Sequence, residues 1–128
     1  MGLSIFDEVQ PTRFQQTINS GTGLGLLYLV NGQTQKGRLD AMYARNTDGI
    51  DHVLTVYLGN GGTGIPLGSV NIPSAPLAGV GVPVEVLAAL GLTAEAGIVL
   101  GPGDQIEIGV QVAVVTGAIY VNGLGGWL

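Results

Sequence analysis

The sequence predicts an all-β protein: a single β-sandwich of jelly-roll or immunoglobulin-like type, with one short helix and an extended N-terminal arm. Three observations lead there. From Gln105 to Val115 the chain alternates, with Ile106, Ile108, Val110, Val112 and Val114 on one face and Glu107, Gly109, Gln111 and Ala113 on the other. From Lys36 to Gly59 two β-favouring runs flank Asn46-Thr47-Asp48-Gly49, a set of turn-forming residues. Elsewhere, short apolar runs are repeatedly interrupted by Gly, Pro and Asn, which leaves room for strands but for only one helix.

In chain order, residues 1–12 form the predicted arm, because Pro11 blocks regular continuation, and 13–128 form the sandwich domain. Thr12 to Ile18 is a first strand, and Asn19 to Gly23 is a turn. Gly25 to Val30 is apolar on both faces, as expected of a central strand or of one that meets a partner. Lys36 to Gly59 is predicted to be one hairpin with its register fixed at the Asn46–Gly49 turn, where Gly49 takes a positive φ. Ile65 to Ile72 is a strand, and Pro66 pushes it toward a sheet edge. Residues 73–82 are a Pro/Gly-rich connection. Val82 to Gly91 is the helix, with Pro83 at its first position, Glu85 at the positive end of its dipole and Gly91 at its exit. The turn at Leu100–Asp104 leads into the alternating strand, and Ala118 to Val121 is the last strand. Asn122 to Leu128 is an apolar tail. The chain shows no internal repeat and no domain boundary.

Composition narrows the function. Of 128 residues, 46% are hydrophobic and only 10% charged, against about 25% charged in an ordinary soluble domain. A surface so poor in charge fits one that sister subunits or a larger assembly cover, or a very stable secreted domain. Four bases (Arg13, Lys36, Arg38, Arg45) against nine acids give a net charge of −5. That leaves no basic patch for nucleic acid or for an anionic membrane. There is no cysteine, so disulfides and thiolate zinc sites are excluded. The N-terminus has no basic region and meets acids at Asp7 and Glu8, so it is not read as a secretory signal, and no apolar run is long enough to span a membrane. A soluble protein made in a cytoplasm is the expectation.

No catalytic constellation emerges, and no cofactor is expected. His52 is the one histidine. Beside Asp51 and near Asp48 it is half of an acid–base pair or metal site, or simply a polar residue at a hairpin turn, and the second reading is preferred. Asp48 and Asp51 lack the loop of a calcium site. Gly21 to Gly25 lacks the spacing of a dinucleotide fingerprint. Asp104 and Glu107 point to opposite faces and cannot act as a carboxylate pair. Ser4, Ser20, Ser69 and Ser74 lack an elbow motif or a partner base. The candidate functional residues are therefore interface residues. Leu3, Ile5, Phe6 and Val9 lie in the arm, and Leu27 and Leu29 in the apolar strand. Leu124, Trp127 and Leu128 lie in the tail, with Trp127 either a core plug or a subunit anchor. Apolar surface on these segments predicts a homo-oligomer.

The pieces Ala44-Arg-Asn-Thr-Asp-Gly49, Val53-Leu-Thr-Val-Tyr-Leu58 and Leu100-Gly-Pro-Gly-Asp-Gln-Ile106 together resemble a group of small tailed-bacteriophage virion proteins. The resemblance covers residues 24–121 and is strongest to capsid decoration, or cement, proteins. It implies a structural protein on the outer surface of a virion, bound to the major capsid protein and often trimeric, with no catalytic residues to carry over. The Gly-rich tail departs from the pattern. A tail, fibre or head–tail component acting as a binding module is the alternative.

Overall fold

The computed structural model describes residues 10–23, 26–30, 37–60, 64–74, 83–92 and 98–127. They form β1 (Gln10–Ile18), β2 (Leu26–Val30), β3 (Gly37–Asn46), β4 (His52–Gly59), β5 (Ile65–Ile72), β6 (Val84–Glu85), helix α1 (Val86–Ala89), β7 (Ile98–Leu100), β8 (Gln105–Val110) and β9 (Ile119–Trp127). One antiparallel sheet has the order β1-β9-β3-β6, with β7 continuing along the same side of β3 as β6. The other has the order β2-β8-β4-β5. The chain passes back and forth between the sheets, from β1 to β2, β2 to β3 and β3 to β4. This is jelly-roll connectivity; in an immunoglobulin-type sandwich the first two strands share a sheet.

The core lies between the two sheets. Leu39, Met42, Ala44, Ile98, Leu100, Ile119 and Val121 face inward from the first sheet, and Leu54, Val56, Ile72, Ile106, Ile108 and Val110 from the second. A bulge at Asp40 in β3 lets Leu39 and Met42 both point inward although three positions separate them. Glu85 caps α1 by accepting the Ala88 N–H, and its other oxygen accepts the Met42 N–H at 3.1 Å, which pins the helix to β3. The helix ends as expected at Gly91 (φ 81°). There the Leu92 N–H reaches the Leu87 carbonyl and the Gly91 N–H reaches that of Ala88, and Val86 and Leu87 are buried.

Several expectations need correction. Lys36 to Gly59 is not a hairpin, because β3 and β4 belong to opposite sheets and do not pair. The turn residues do reverse the chain, but the strands part across the core. Gly49 is not among the described glycines with positive φ. The Asn46 side chain makes the turn by accepting the Asp48 N–H at 2.8 Å. β1 begins at Gln10, so residues 10–12 belong to the sandwich. Pro11 is tolerated because β1 is an edge strand, paired only with β9. β2 is also an edge strand, not a central one. α1 is one turn long, and Val84 and Glu85, expected inside it, pair with β3. β8 stops at Val110, and Val112 is exposed rather than inward. The apolar tail is instead the far half of β9, the strand lying between β1 and β3. β5 matches its expected limits and takes its expected edge position.

Candidate functional site

One end of the sandwich is held by a buried polar knot. It joins the β3–β4 connection, the exit from β5 and the β8–β9 connection. Asp48, at its centre, is buried and accepts five hydrogen bonds. Oδ1 takes the Gly49 N–H (2.8 Å), the Thr116 N–H (3.1 Å) and the Thr116 hydroxyl (2.6 Å). Oδ2 takes the His52 Nε2–H (2.7 Å) and the Val115 N–H (3.3 Å). The Thr116 hydroxyl, then His52, hold the Asp48 carboxyl well below the usual carboxylate range. Burial opposes them, and the Gly49 and Thr116 backbone N–H groups add to the lowering.

The knot extends on both sides of Asp48. Asn46 is fully buried, and its amide donates to the Ile50 carbonyl (2.8 Å) and the Ile72 carbonyl (3.0 Å). The Ser74 hydroxyl donates to the Asp48 carbonyl at 2.6 Å, and the Ser74 N–H to the Asp51 carboxylate at 2.8 Å. Thr47 and Ala118 bond through N–H to carbonyl at 2.9 Å, and the Ala118 N–H reaches the Thr47 hydroxyl at 3.0 Å. Gly117 leaves the space that this contact needs: a Cβ there would stand 2.4 Å from the Thr47 carbonyl oxygen.

The Asp48–His52 pair has the spacing of an acid–base dyad and lies inside the knot rather than on the surface. Both residues are buried, and among the described residues His52 Nδ1 meets no hydrogen-bond partner. His52 is thus a core residue opening β4, not a polar residue at a hairpin turn. Asp51, its sequence neighbour, faces away and holds Ser74 and Asn71. Asp104 caps its own turn by accepting the Gly101 N–H and binding Asn60. Among the described residues no group of three His, Cys, Asp or Glu could hold a metal ion, and no helix is long and apolar enough to cross a membrane.

Two surfaces stand out. The first is the end over the knot. Ile50 on one connection and Val112 and Val115 on the other are 49%, 55% and 78% exposed, and the knot bonds the Ile50 carbonyl and the Val115 N–H. The second is the outer face of the first sheet, where Tyr43 of β3 and Tyr120 and Leu124 of β9 are each 43–50% exposed. Of the sequence-predicted interface residues, Leu124 lies on the second surface. Leu27 and Leu29 are in β2, and Trp127 closes β9 opposite Gln10 and Gly37. Leu3, Ile5, Phe6, Val9 and Leu128 lie outside the described residues. Tyr43 and Tyr120 were missed by the sequence reading, although strand parity marks them: each lies between inward residues, Met42 and Ala44 or Ile119 and Val121. Thr116 and Asn46 carried no such mark, because their roles depend on chain segments distant in sequence.

No protein-family model matches the chain, and no curated protein does. Among solved structures it is similar to a chain of the disulfide-linked pili that form Bacillus endospore appendages. That match has 16% identity and a TM-score of 0.40, and it covers 100% of this chain and 99% of that one. A likeness at this level bears on neither family nor function.

Proposed function

We propose that this protein is a non-catalytic structural component of a virion, one that decorates and stabilises a bacteriophage capsid by binding its shell of major capsid protein as a homotrimer. The observation that carries the reading is the apolar end over the knot. Three exposed aliphatic side chains stand on two connections that hydrogen bonds to Asp48 and from Asn46 tie down, so ordering them at an interface costs little further entropy. Burying the exposed part of each contributes on the order of 1 kcal/mol. That is weak for one copy and becomes effective when several linked copies dock together. The low charge of the chain and its resemblance to decoration proteins support the same reading.

The test is co-sedimentation with shells assembled from major capsid protein alone. The full chain is expected to pellet with them. The double variant Ile50→Ser, Val115→Ser is expected to keep its melting temperature and lose about tenfold or more in shell affinity. Unchanged binding by that variant would overturn the assignment of the contact. Failure of the full chain to bind any phage shell would overturn the function.

A further inference from the structure

We propose that the outer face of the β1-β9-β3 sheet is a binding platform for a neutral saccharide, with Tyr43 and Tyr120 as stacking surfaces and Gln15 and Asn122 as its hydrogen-bonding groups. The register places these residues together. Gln15, Asn122 and Tyr43 form one row across the three strands, and Thr17, Tyr120 and Arg45 form the next. Tyr43 and Tyr120 are therefore diagonal neighbours, about 7–8 Å apart at their backbones and within reach of one ligand. Gln15, Tyr43, Asn122, Gly123 and Leu124 line a shallow recess of about 220 Å3. That is below the about 300–1,000 Å3 of pockets that enclose drug-sized ligands, and it suits a single ring lying on the surface.

The chemistry of the face selects among occupants. No side chain of Gln15, Asn122, Arg45, Tyr43 or Tyr120 has a hydrogen-bond partner among the described residues. Each amide offers two donors and an acceptor side by side, which matches adjacent hydroxyls that both donate and accept. The tyrosine rings have electron-rich faces, which suit the C–H surface of a sugar ring. Among the described residues the carboxylate across from Tyr43, that of Glu85, has both oxygens engaged by the Met42 and Ala88 N–H groups rather than open to a cation. The register puts two bases on this face, Arg45 opposite Tyr120 and Arg13 opposite Leu124, too few to track a polyanion along its length but able to donate to ring or glycosidic oxygens. A protein anchor would favour a dry apolar pocket. Here the recess carries two amides whose donors a protein would have to match one by one. The rows sit on paired strands with β9 in the middle, so the platform is set before any ligand arrives.

The proposal is independent of the capsid-binding end, because the two surfaces share no residue. The test titrates the full chain, labelled with 15N, with the methyl glycosides of glucose, galactose, mannose and N-acetylglucosamine and with their β-linked and α-linked disaccharides. At least one probe is expected to shift the backbone amide signals of residues 15, 43 and 120–124. Tyr43→Ala and Asn122→Ala are expected to weaken that binding about tenfold or more with unchanged melting temperature, while Tyr43→Phe retains it. The proposal is overturned if no probe shifts these signals, if the shifts map elsewhere, or if Tyr43→Ala binds as well as the parent. It is also overturned if dilution alone moves the same signals and Tyr43→Ala abolishes that effect, since the face is then a contact between copies of this chain.

Discussion

Replacing Gly117 by alanine puts a methyl group where backbone already stands. The added Cβ would lie 2.4 Å from the Thr47 carbonyl oxygen, 2.5 Å from its carbon and 2.6 Å from the Asp48 nitrogen. None of these atoms is the end of a side chain that could swing aside, so the two connections must separate by about 1 Å. The hydrogen bonds between Thr47 and Ala118, at 2.9 and 3.0 Å, would then stretch past useful length. Two lost bonds at about 1 kcal/mol each, with about 1–3 kcal/mol of overpacking strain, give a loss of about 3–5 kcal/mol. For a chain of this size that lowers the melting temperature by roughly 10–20 °C. Gly49→Ala is the matched control. Its φ is not positive, and an added Cβ would meet only the Thr116 hydroxyl, at 3.9 Å. It should change stability by no more than about 0.5 kcal/mol. Differential scanning calorimetry on both variants decides the matter. A Gly117→Ala protein that melts with the parent, or a Gly49→Ala protein that melts far below it, would refute the packing described for these connections.

Four further outcomes are expected. The Asp48 carboxyl is held ionised in the fold, chiefly by Thr116 and then His52, so its contribution to stability is whole above the unfolded carboxylate pKa of about 3.9. It is lost as pH falls from there toward the lower folded value. Melting temperature should therefore drop more steeply between about pH 5 and pH 2 in the parent than in Asp48→Asn; parallel curves would remove Asp48 as a cause. Asn46→Asp should destabilise more than Asn46→Ala, because it replaces the amide donor with oxygen facing the Ile50 and Ile72 carbonyls, and urea unfolding of the two variants tests the order. Leu87→Ala should cost about 2–5 kcal/mol despite lying in a one-turn helix, since the side chain is fully buried, and its chemical denaturation midpoint reports this. Deleting residues 2–9 removes no described strand pairing and should leave the melting temperature nearly intact, while weakening shell binding about tenfold or more if the arm docks; a truncated protein that fails to fold would place the arm in the core.

What the sequence revealed and concealed follows from the range of its signals. Alternation at Ile106, Ile108 and Val110 marks an inner face, and β5 is bounded by its own Gly and Pro residues. Both are local properties. The error at Lys36–Gly59 has a physical source: Asn46 and Asp48 say that the chain turns, but not whether the strands then pair or part. That depends on Thr116, nearly 70 residues on, which bonds Asp48 and holds the turn against another connection. The alternating pattern continued to Val114 because side-chain type persists after backbone pairing ends at Val110. β9 passed for a tail because Gly123, Gly125 and Gly126 carry no side chain for a periodicity to register. Of the two proposed surfaces, the tyrosine face could have been read from parity, though it was not singled out. The knot could not be, since His52 and Asp48 look the same in sequence whether they meet water or each other.

The place of β9 has a consequence for how the protein is made. It lies between β1 and β3, so the first sheet lacks its middle until residues 119–127 leave the ribosome. At roughly 5–20 residues per second, the start of β3 is synthesised several seconds before its partner at Trp127. During that interval β1 and β3 have open hydrogen-bonding edges and no neighbour to close them, a state prone to pairing with other nascent chains. Cellular yield should therefore respond to translation rate and chaperone supply more than to the stability of the finished sandwich, and a ribosome stalled before residue 119 should display a chain that proteases cut freely.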